Sequence, residues 1–155
     1  MSTDRPSATC WPYGRRTPVP AVSASTNSGR CGAGSRYKSF LGERPAVIAG
    51  DLNSNTIWDK PGWRINHSTK VRILEESFGL VSAYHAIRGE AHGHESEPTL
   101  YWRDRTKDGP SYHIDYVFLP TGWIGKVSHL SVGAFETWCG AGLSDHVPVV
   151  VDVDV

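Results

Sequence analysis

The sequence lacks the features that mark several large classes of protein. Its 155 residues contain 16 Lys and Arg against 16 Asp and Glu, so no excess of positive charge indicates a nucleic-acid binder. No apolar run approaches the length of a transmembrane helix, and the amino terminus has no basic segment followed by an apolar one. We therefore expect neither a membrane span nor a secretory signal peptide.

Cysteine is scarce as well. The three cysteines, Cys10, Cys31 and Cys139, form no Cys-x-x-Cys pair and are odd in number. This pattern argues against a disulfide framework or a zinc knuckle and favours a reducing compartment. We expect a cytoplasmic protein, and the length suits one domain.

Apolar periodicity is missing from residues 1–35, which are rich in Ser, Thr, Pro, Gly, Ala and Arg. Such a segment cannot bury enough apolar surface to offset the entropy of ordering its backbone. The composition predicts a disordered or non-native leader over residues 1–35 and a folded part over residues 36–155. An alternative is a basic arm that contacts phosphates through its arginines.

Chemically reactive side chains first gather after a short apolar run at residues 46–49. This run predicts a buried strand that Gly50 ends. Asp51, Asn53 and Asn55 follow at the carboxyl end of the strand, where sheet proteins commonly place ligand-binding and catalytic groups. An Asx-rich turn, in which these side chains bond their own backbone, accounts for the pattern equally well.

Two later stretches favour the functional interpretation: His113-Ile114-Asp115-Tyr116 and Ser144-Asp145-His146-Val147-Pro148. Together with Gly50-Asp51-Leu52-Asn53 they resemble, in order and separation, the last three signature motifs of the endonuclease/exonuclease/phosphatase superfamily. The resemblance covers about residues 37–155, the carboxyl-terminal half of such a domain. It implies an α/β (α+β) fold, namely part of a four-layer α/β/β/α sandwich whose amino-terminal half is missing here.

The resemblance also implies a function, a nuclease-like, metal-dependent hydrolase of phosphodiesters or phosphomonoesters that takes Mg²⁺ or Mn²⁺. Matched by position, Asp145 would bind the metal, and Asp51 would orient or deprotonate the attacking water with Asn53 fixing its geometry. His146 would contact the scissile phosphate, and Asp115 would hold its imidazole. We expect these residues to converge on one pocket, with Asp115 hydrogen-bonded to the His146 ring.

One part of the family pattern is absent. The resembled family carries its principal metal-binding Glu in an earlier motif, and no such motif precedes Tyr37. We therefore expect this chain alone to hydrolyse phosphoesters feebly or not at all. Two alternatives stay open: a non-catalytic remnant of such a domain, and a nucleic-acid-binding module that does not hydrolyse.

Substrate contacts are predicted from aromatic and basic residues near these motifs. Trp58, in a loop after the first motif, could stack on a base or sugar, although capping the core is more usual for such a residue. Arg103 and Arg105 could hold a phosphate backbone, although a solvated hairpin tip explains them as well. The expected partner is a phosphoester, with DNA or another nucleic acid as one candidate.

The remaining segments predict scaffold. Ser68 is the expected N-cap of a helix that runs to about Phe78 and stops at Gly79. Residues 80–87 are buried in either helix or strand. A hairpin of residues 99–103 and 112–119 and strands over residues 123–132 and 147–153 complete the prediction.

A second candidate metal site is the segment His92-Gly93-His94-Glu95. Two histidines and a carboxylate are metal-ligand types, but the sequence shows no further ligand pair. Because the segment lies in a loop rich in Gly and Glu, we expect a solvated loop there.

Overall fold

A computed structural model of the chain describes residues 21–23, 41, 44–102 and 106–155. Within them the fold is mixed α/β, with largely antiparallel sheets and few helices. The strands are β1 (Ala21–Ser23), β2 (Val47–Asp51), β3 (Leu80–Ser82), β4 (Leu100–Tyr101), β5 (Ser111–Tyr112), β6 (Asp115–Pro120), β7 (Val127–Val132) and β8 (Val149–Val153). The α-helices are α1 (His67–Phe78), α2 (Ala83–Arg88) and α3 (Phe135–Trp138), and 3-10 helices cover Thr56–Trp58 and Thr121–Lys126. None of these helices is long and apolar enough to cross a membrane.

The central sheet has the strand order β1-β2-β6-β3. Strand β2 forms where the apolar run predicted it, but it continues through Gly50 because Gly50 and Asp51 both pair with β6. Asp51 is thus the last residue of its strand, and its cross-strand partner is Asp115, the first residue of β6.

Part of the predicted leader is ordered. Residues Ala21–Ser23 form β1, which pairs in parallel with Val47, Ile48 and Ala49 of β2. The prediction of disorder does not hold for these three residues, because pairing of backbone groups along a strand edge needs no apolar periodicity. The rest of the predicted leader lies outside the described residues.

Helix α1 packs its apolar face on the central sheet. Val71, Leu74 and Phe78 contact a core cluster that includes Tyr116 and Phe118, as the spacing predicts. Gly79 ends the helix in the left-handed conformation, with φ of 61°, and donates its N–H to Glu75 O.

The predicted N-cap of α1 is wrong. The helix begins at His67, and the Asp59 carboxylate accepts hydrogen bonds from the N–H groups of His67 and Ser68 at 2.6 and 3.0 Å. Burial raises the pKa of Asp59, but its hydrogen bonds from Ser68 and His67 outweigh burial and lower that pKa overall. A carboxylate from a preceding loop satisfies the first N–H groups, so Ser68 does not need to.

Residues 80–87, for which the sequence left helix and strand open, contain both, since strand β3 passes directly into helix α2.

The predicted hairpin of residues 99–103 and 112–119 is only partly correct. Strands β4 and β5 pair, but the chain leaves that ladder at residues 113–114, and β6 pairs with β2 and β3 instead. Ile114, Tyr116 and Phe118 are buried, and His113 is buried too, at 3% exposure.

The carboxyl-terminal segment forms a two-stranded antiparallel sheet of β7 and β8. The strand predicted over residues 123–132 begins later, because residues 121–126 form a 3-10 helix. Alternate residues of β8 are exposed, as the pattern predicts. Val151 and Val153 pack against a cluster that contains Leu119 of β6 and Leu130 of β7, so this sheet covers one side of the central sheet.

Candidate active site

The segment Thr99–Tyr101 positions two of the three predicted motifs. The buried Thr99 hydroxyl accepts the N–H groups of Ile114 and Asp115, both at 3.0 Å. On its other side the same segment bonds the 145–147 backbone, through Tyr101 N to Asp145 O and Val147 N to Thr99 O, each 2.8 Å. The second and third motifs therefore lie on either side of one short extended segment.

This scaffold brings Asp115 and His146 into contact. His146 Nδ1 and Asp115 Oδ2 lie 2.8 Å apart, and both side chains are partly exposed, at 30% and 21%. The predicted hydrogen bond is therefore present. Because the carboxylate accepts the Nδ1 hydrogen, it fixes the ring orientation and leaves Nε2 available to another group.

Asp51 lies beside this pair as the strand partner of Asp115. Its Oδ1 accepts the backbone N–H of Asn53, and its Oδ2 accepts the Asn53 side-chain amide, both at 2.7 Å. Asn53 takes a positive φ of 46°, a conformation that Asn tolerates better than most residues. The turn and the site are thus one arrangement, because the bonds that close the turn also orient the Asp51 carboxylate.

Asp145, the predicted metal ligand, precedes His146 and is half-buried. Among the described residues, the carboxylates of Asp51, Asp115 and Asp145 do not form a set of three ligand atoms close enough to hold an ion. The donors near this site are carboxylate and amide oxygens, the types that Mg²⁺ prefers. Mg²⁺ keeps several waters and commonly takes only one or two carboxylates, so the residues present fit a partly hydrated ion.

Two of the three predicted substrate-binding residues, Arg103 and Arg105, lie outside the described residues. Trp58 ends the first 3-10 helix, and its ring packs against Tyr112 with centroids 4.8 Å apart. The ring remains 42% exposed, and Trp63 in the same loop is 60% exposed. Both indoles therefore present area to solvent in the loop that follows the first motif.

The prediction of a solvated loop at residues 92–95 is wrong for His92 and Glu95 and correct for the exposed His94. The Glu95 side chain is only 4% exposed and lies 3.0 Å from Nε2 of His85, in α2. His92 bonds Nε2 of His67, in α1, through its Nδ1 at 3.0 Å. The loop therefore inserts into the protein between two helices.

Asn55 organises this buried polar cluster, which consists of His67, His85, His92, Glu95 and His113. It is 2% exposed, and its amide group lies 3.0 and 3.1 Å from the two Glu95 oxygens and 3.0 Å from His113 O. Asn55 follows the first motif, where the sequence places it with Asp51 and Asn53, but its partners lie 40 and 58 positions away. The His-x-His-Glu segment was the only signal of the cluster in the sequence, and it did not reveal the histidines on the helices.

Burial controls protonation in the cluster. It lowers the pKa of His67 to about 4 and that of His92 to about 3, so both imidazoles are neutral at pH 7. Burial raises the pKa of Glu95, but its hydrogen bonds from His85, the Gly93 N–H and Asn55 outweigh burial and lower it to about 2. At neutral pH the Glu95 carboxylate therefore lies beside the neutral imidazoles of His67 and His92.

A scan against models of protein families finds no match for this sequence, and a search of curated proteins finds none either.

Proposed function

We propose that this chain carries catalytic residues of a metal-dependent phosphoesterase of the endonuclease/exonuclease/phosphatase type. The observation that carries the proposal is the 2.8 Å contact between Asp115 Oδ2 and His146 Nδ1, beside Asp51 at the end of the same ladder. Each of the three resembled motifs contributes one residue to this arrangement. Residues that merely shared turn-forming composition would have no reason to meet.

The proposed roles follow from the contacts. His146, oriented by Asp115, donates from Nε2 to an oxygen of the scissile phosphate as charge develops there. Asp51 accepts a proton from the attacking water, and the two bonds from Asn53 hold its carboxylate in a single orientation. Asp145 would hold Mg²⁺, or Mn²⁺ in its place. When bound, the ion would neutralise negative charge on the phosphate oxygens.

The finer architecture, a sandwich of two sheets between helices, is part of the same proposal. Two observations support it. One apolar cluster joins β6 to β7 and β8, and another joins the opposite side of the central sheet to α1. This is the layer order α, β, β of the resembled fold.

The test is hydrolysis of bis-p-nitrophenyl phosphate, p-nitrophenyl phosphate and a duplex with an abasic site, with Mg²⁺ and with EDTA. The variants are His146→Ala and His129→Ala, the latter a matched control because His129 is exposed on β7. We expect a low Mg²⁺-dependent rate that His146→Ala abolishes and His129→Ala keeps. The same assays are run on a chain in which a family-type segment with the Glu motif precedes Tyr37. Absence of Mg²⁺-dependent turnover in both chains would refute the proposal.

A second candidate is nucleic-acid binding without hydrolysis, and the exposure of Trp58 and Trp63 favours it. Aromatic faces stack on bases with little sequence preference. Retention of single-stranded DNA that weakens with salt, falls in Trp58→Ala and proceeds without cleavage would support this candidate. Trp138→Ala is the control, since Trp138 is also partly exposed but lies in α3.

A further inference from the structure

We infer that His85, His92 and Glu95 form a binding site for a divalent transition metal of the Zn²⁺ class, separate from the proposed phosphoesterase site. One ligand atom of each residue lies within 4.8 Å of the other two. His85 comes from α2, and His92 and Glu95 come from the loop between α2 and β4. A metal here would fasten that loop to the helix.

The hydrogen bonds that these residues make to neighbouring groups match those that orient metal ligands in proteins. His85 Nδ1 lies 2.7 Å from Ser82 Oγ, and His92 Nδ1 lies 3.0 Å from His67 Nε2. These contacts occupy Nδ1 of each ring. Such contacts at the second nitrogen orient nearly all metal-bound histidines. Glu95 is oriented in the same way by Asn55 and the Gly93 N–H. The other nitrogen of His85, Nε2, lies 3.0 Å from Glu95 Oε1 and must give up its hydrogen to bind an ion.

His113 supplies an independent observation. Its Nδ1 lies 2.7 Å from Glu97 O, and because a carbonyl only accepts, Nδ1 carries the hydrogen. In a neutral imidazole with its hydrogen on Nδ1, Nε2 carries a lone pair. Among the residues that the structure describes, that buried Nε2 has no hydrogen-bond partner, and His113 as a whole is 3% exposed. Leaving a buried polar atom unpaired costs stability, so the retention of this atom needs a reason.

The ring of His113 lies next to the three ligands. Its centroid is 5.8 Å from that of His85 in an edge arrangement. His113 is not part of the set formed by one ligand atom each of His85, His92 and Glu95. We infer that it becomes the fourth ligand when a bound ion draws the rings together. Three imidazoles and one carboxylate suit Zn²⁺, Co²⁺ or Ni²⁺ rather than Mg²⁺ or Ca²⁺, which prefer oxygen donors.

Binding requires His85 to carry its hydrogen on Nδ1, where Ser82 Oγ can accept it, and it requires the rings to move. The rings of His85 and His92 stack at 3.5 Å with their planes at 16°, and an imidazole binds a metal in its own plane. One ring must therefore turn. His92 lies in the turn that His94 N closes on Ala91 O, while His85 is held in a helix, so we expect His92 to turn.

The experiment measures metal content and affinity, so it does not depend on catalysis. The full-length chain is stripped with a chelator, dialysed against Zn²⁺ and analysed by mass spectrometry of the metal, and Zn²⁺ affinity is measured by competition with a chromophoric chelator. We expect one tightly bound equivalent of Zn²⁺. Binding of Co²⁺ should give the visible absorption of a four-coordinate site.

The matched variants are His92→Gln and His94→Gln, two positions apart in one loop, with only the first in the proposed site. His92→Gln should lower Zn²⁺ affinity at least tenfold, whereas His94→Gln and Asp145→Asn should leave it unchanged. Far-UV circular dichroism confirms that each variant folds. The inference is overturned if the wild-type chain retains no Zn²⁺, or if His94→Gln or Asp145→Asn loses as much affinity as His92→Gln. If His92→Gln fails to fold, the wild-type stoichiometry and Co²⁺ spectrum decide.

Discussion

The Asp115 carboxylate accepts a hydrogen bond from the His146 ring across 31 positions of sequence, with Oδ2 and Nδ1 2.8 Å apart. The contact depends on Thr99, whose buried hydroxyl holds the Asp115 backbone and whose carbonyl holds Val147. Thr99 therefore positions the backbone segments that carry Asp115 and His146, although it is not itself a candidate catalytic residue.

Replacing Asp115 by Asn should lower kcat of the proposed phosphoesterase about a hundredfold or more, because the ring of His146 loses the carboxylate that holds its orientation. KM should change little, since substrate contacts remain. In the double variant with His146→Ala, activity should be no lower than in His146→Ala alone, because the two residues act as a unit. Additive losses would show that Asp115 acts independently of His146.

A chain in which a family-type segment with the Glu motif precedes Tyr37 should turn over faster than this chain by orders of magnitude. Metal-assisted charge stabilisation is worth several kcal/mol, and each 1.36 kcal/mol is about a tenfold change in rate. The measurement is Mg²⁺-dependent cleavage of bis-p-nitrophenyl phosphate, with His146→Ala in the fused chain as the control. Equal rates in the two chains would show that the metal site needs no further Glu.

Replacing Asn55 by Asp should destabilise the fold by about 3 kcal/mol or more. The change removes the amide that contacts Glu95 and His113 O, and it places a second carboxylate against the buried Glu95. Urea unfolding in the absence of metal gives the free energy of unfolding. Asn66→Asp is the control: its partly exposed side chain bonds Lys60, and we expect a change below about 1 kcal/mol there. A small effect at Asn55 would mean that water can replace its bonds.

The metal-free chain should lose stability as the pH falls below 6.5. The folded pKa values of His67 and His92, about 4 and about 3, lie below the ordinary 6.5, so the folded state binds fewer protons than the unfolded state between these limits. The free energy of unfolding therefore falls on acidification, by at most about 1.4 kcal/mol per pH unit for each group. Well above pH 6.5 these histidines contribute no pH dependence, because they are neutral in both states.

Some of the charged groups around His67 raise its pKa and others lower it. Asp59 and Glu95 favour its protonation, and Lys70 and His85 oppose it, but burial is the largest effect. Melting temperatures of the chelator-treated chain at pH 7, 6 and 5 measure the dependence. His67→Gln should reduce the slope, whereas His129→Gln should not. A melting temperature that is the same at pH 5 and pH 7 would contradict the prediction.

Local patterns predicted the elements whose burial follows a simple period. The apolar face of Val71, Leu74 and Phe78 and the alternation of β8 are visible in the sequence, because a helix and a strand expose residues at fixed intervals. The position of Asp51 at the end of β2 followed from the apolar run before it, although the residues of this strand are only half-buried. The three motifs also predicted the contact of Asp115 with His146, through family resemblance.

Tertiary contacts decided the rest, because periodicity reports which face is buried and not which distant residues share that burial. Asp59 caps α1 across a loop, where the local pattern favoured Ser68. The same limit hid the buried polar cluster. His92 and Glu95 have the sequence features of a solvated loop. They share one interior site only because the fold brings His67 and His85 from two helices and Asn55 from the loop after the first motif.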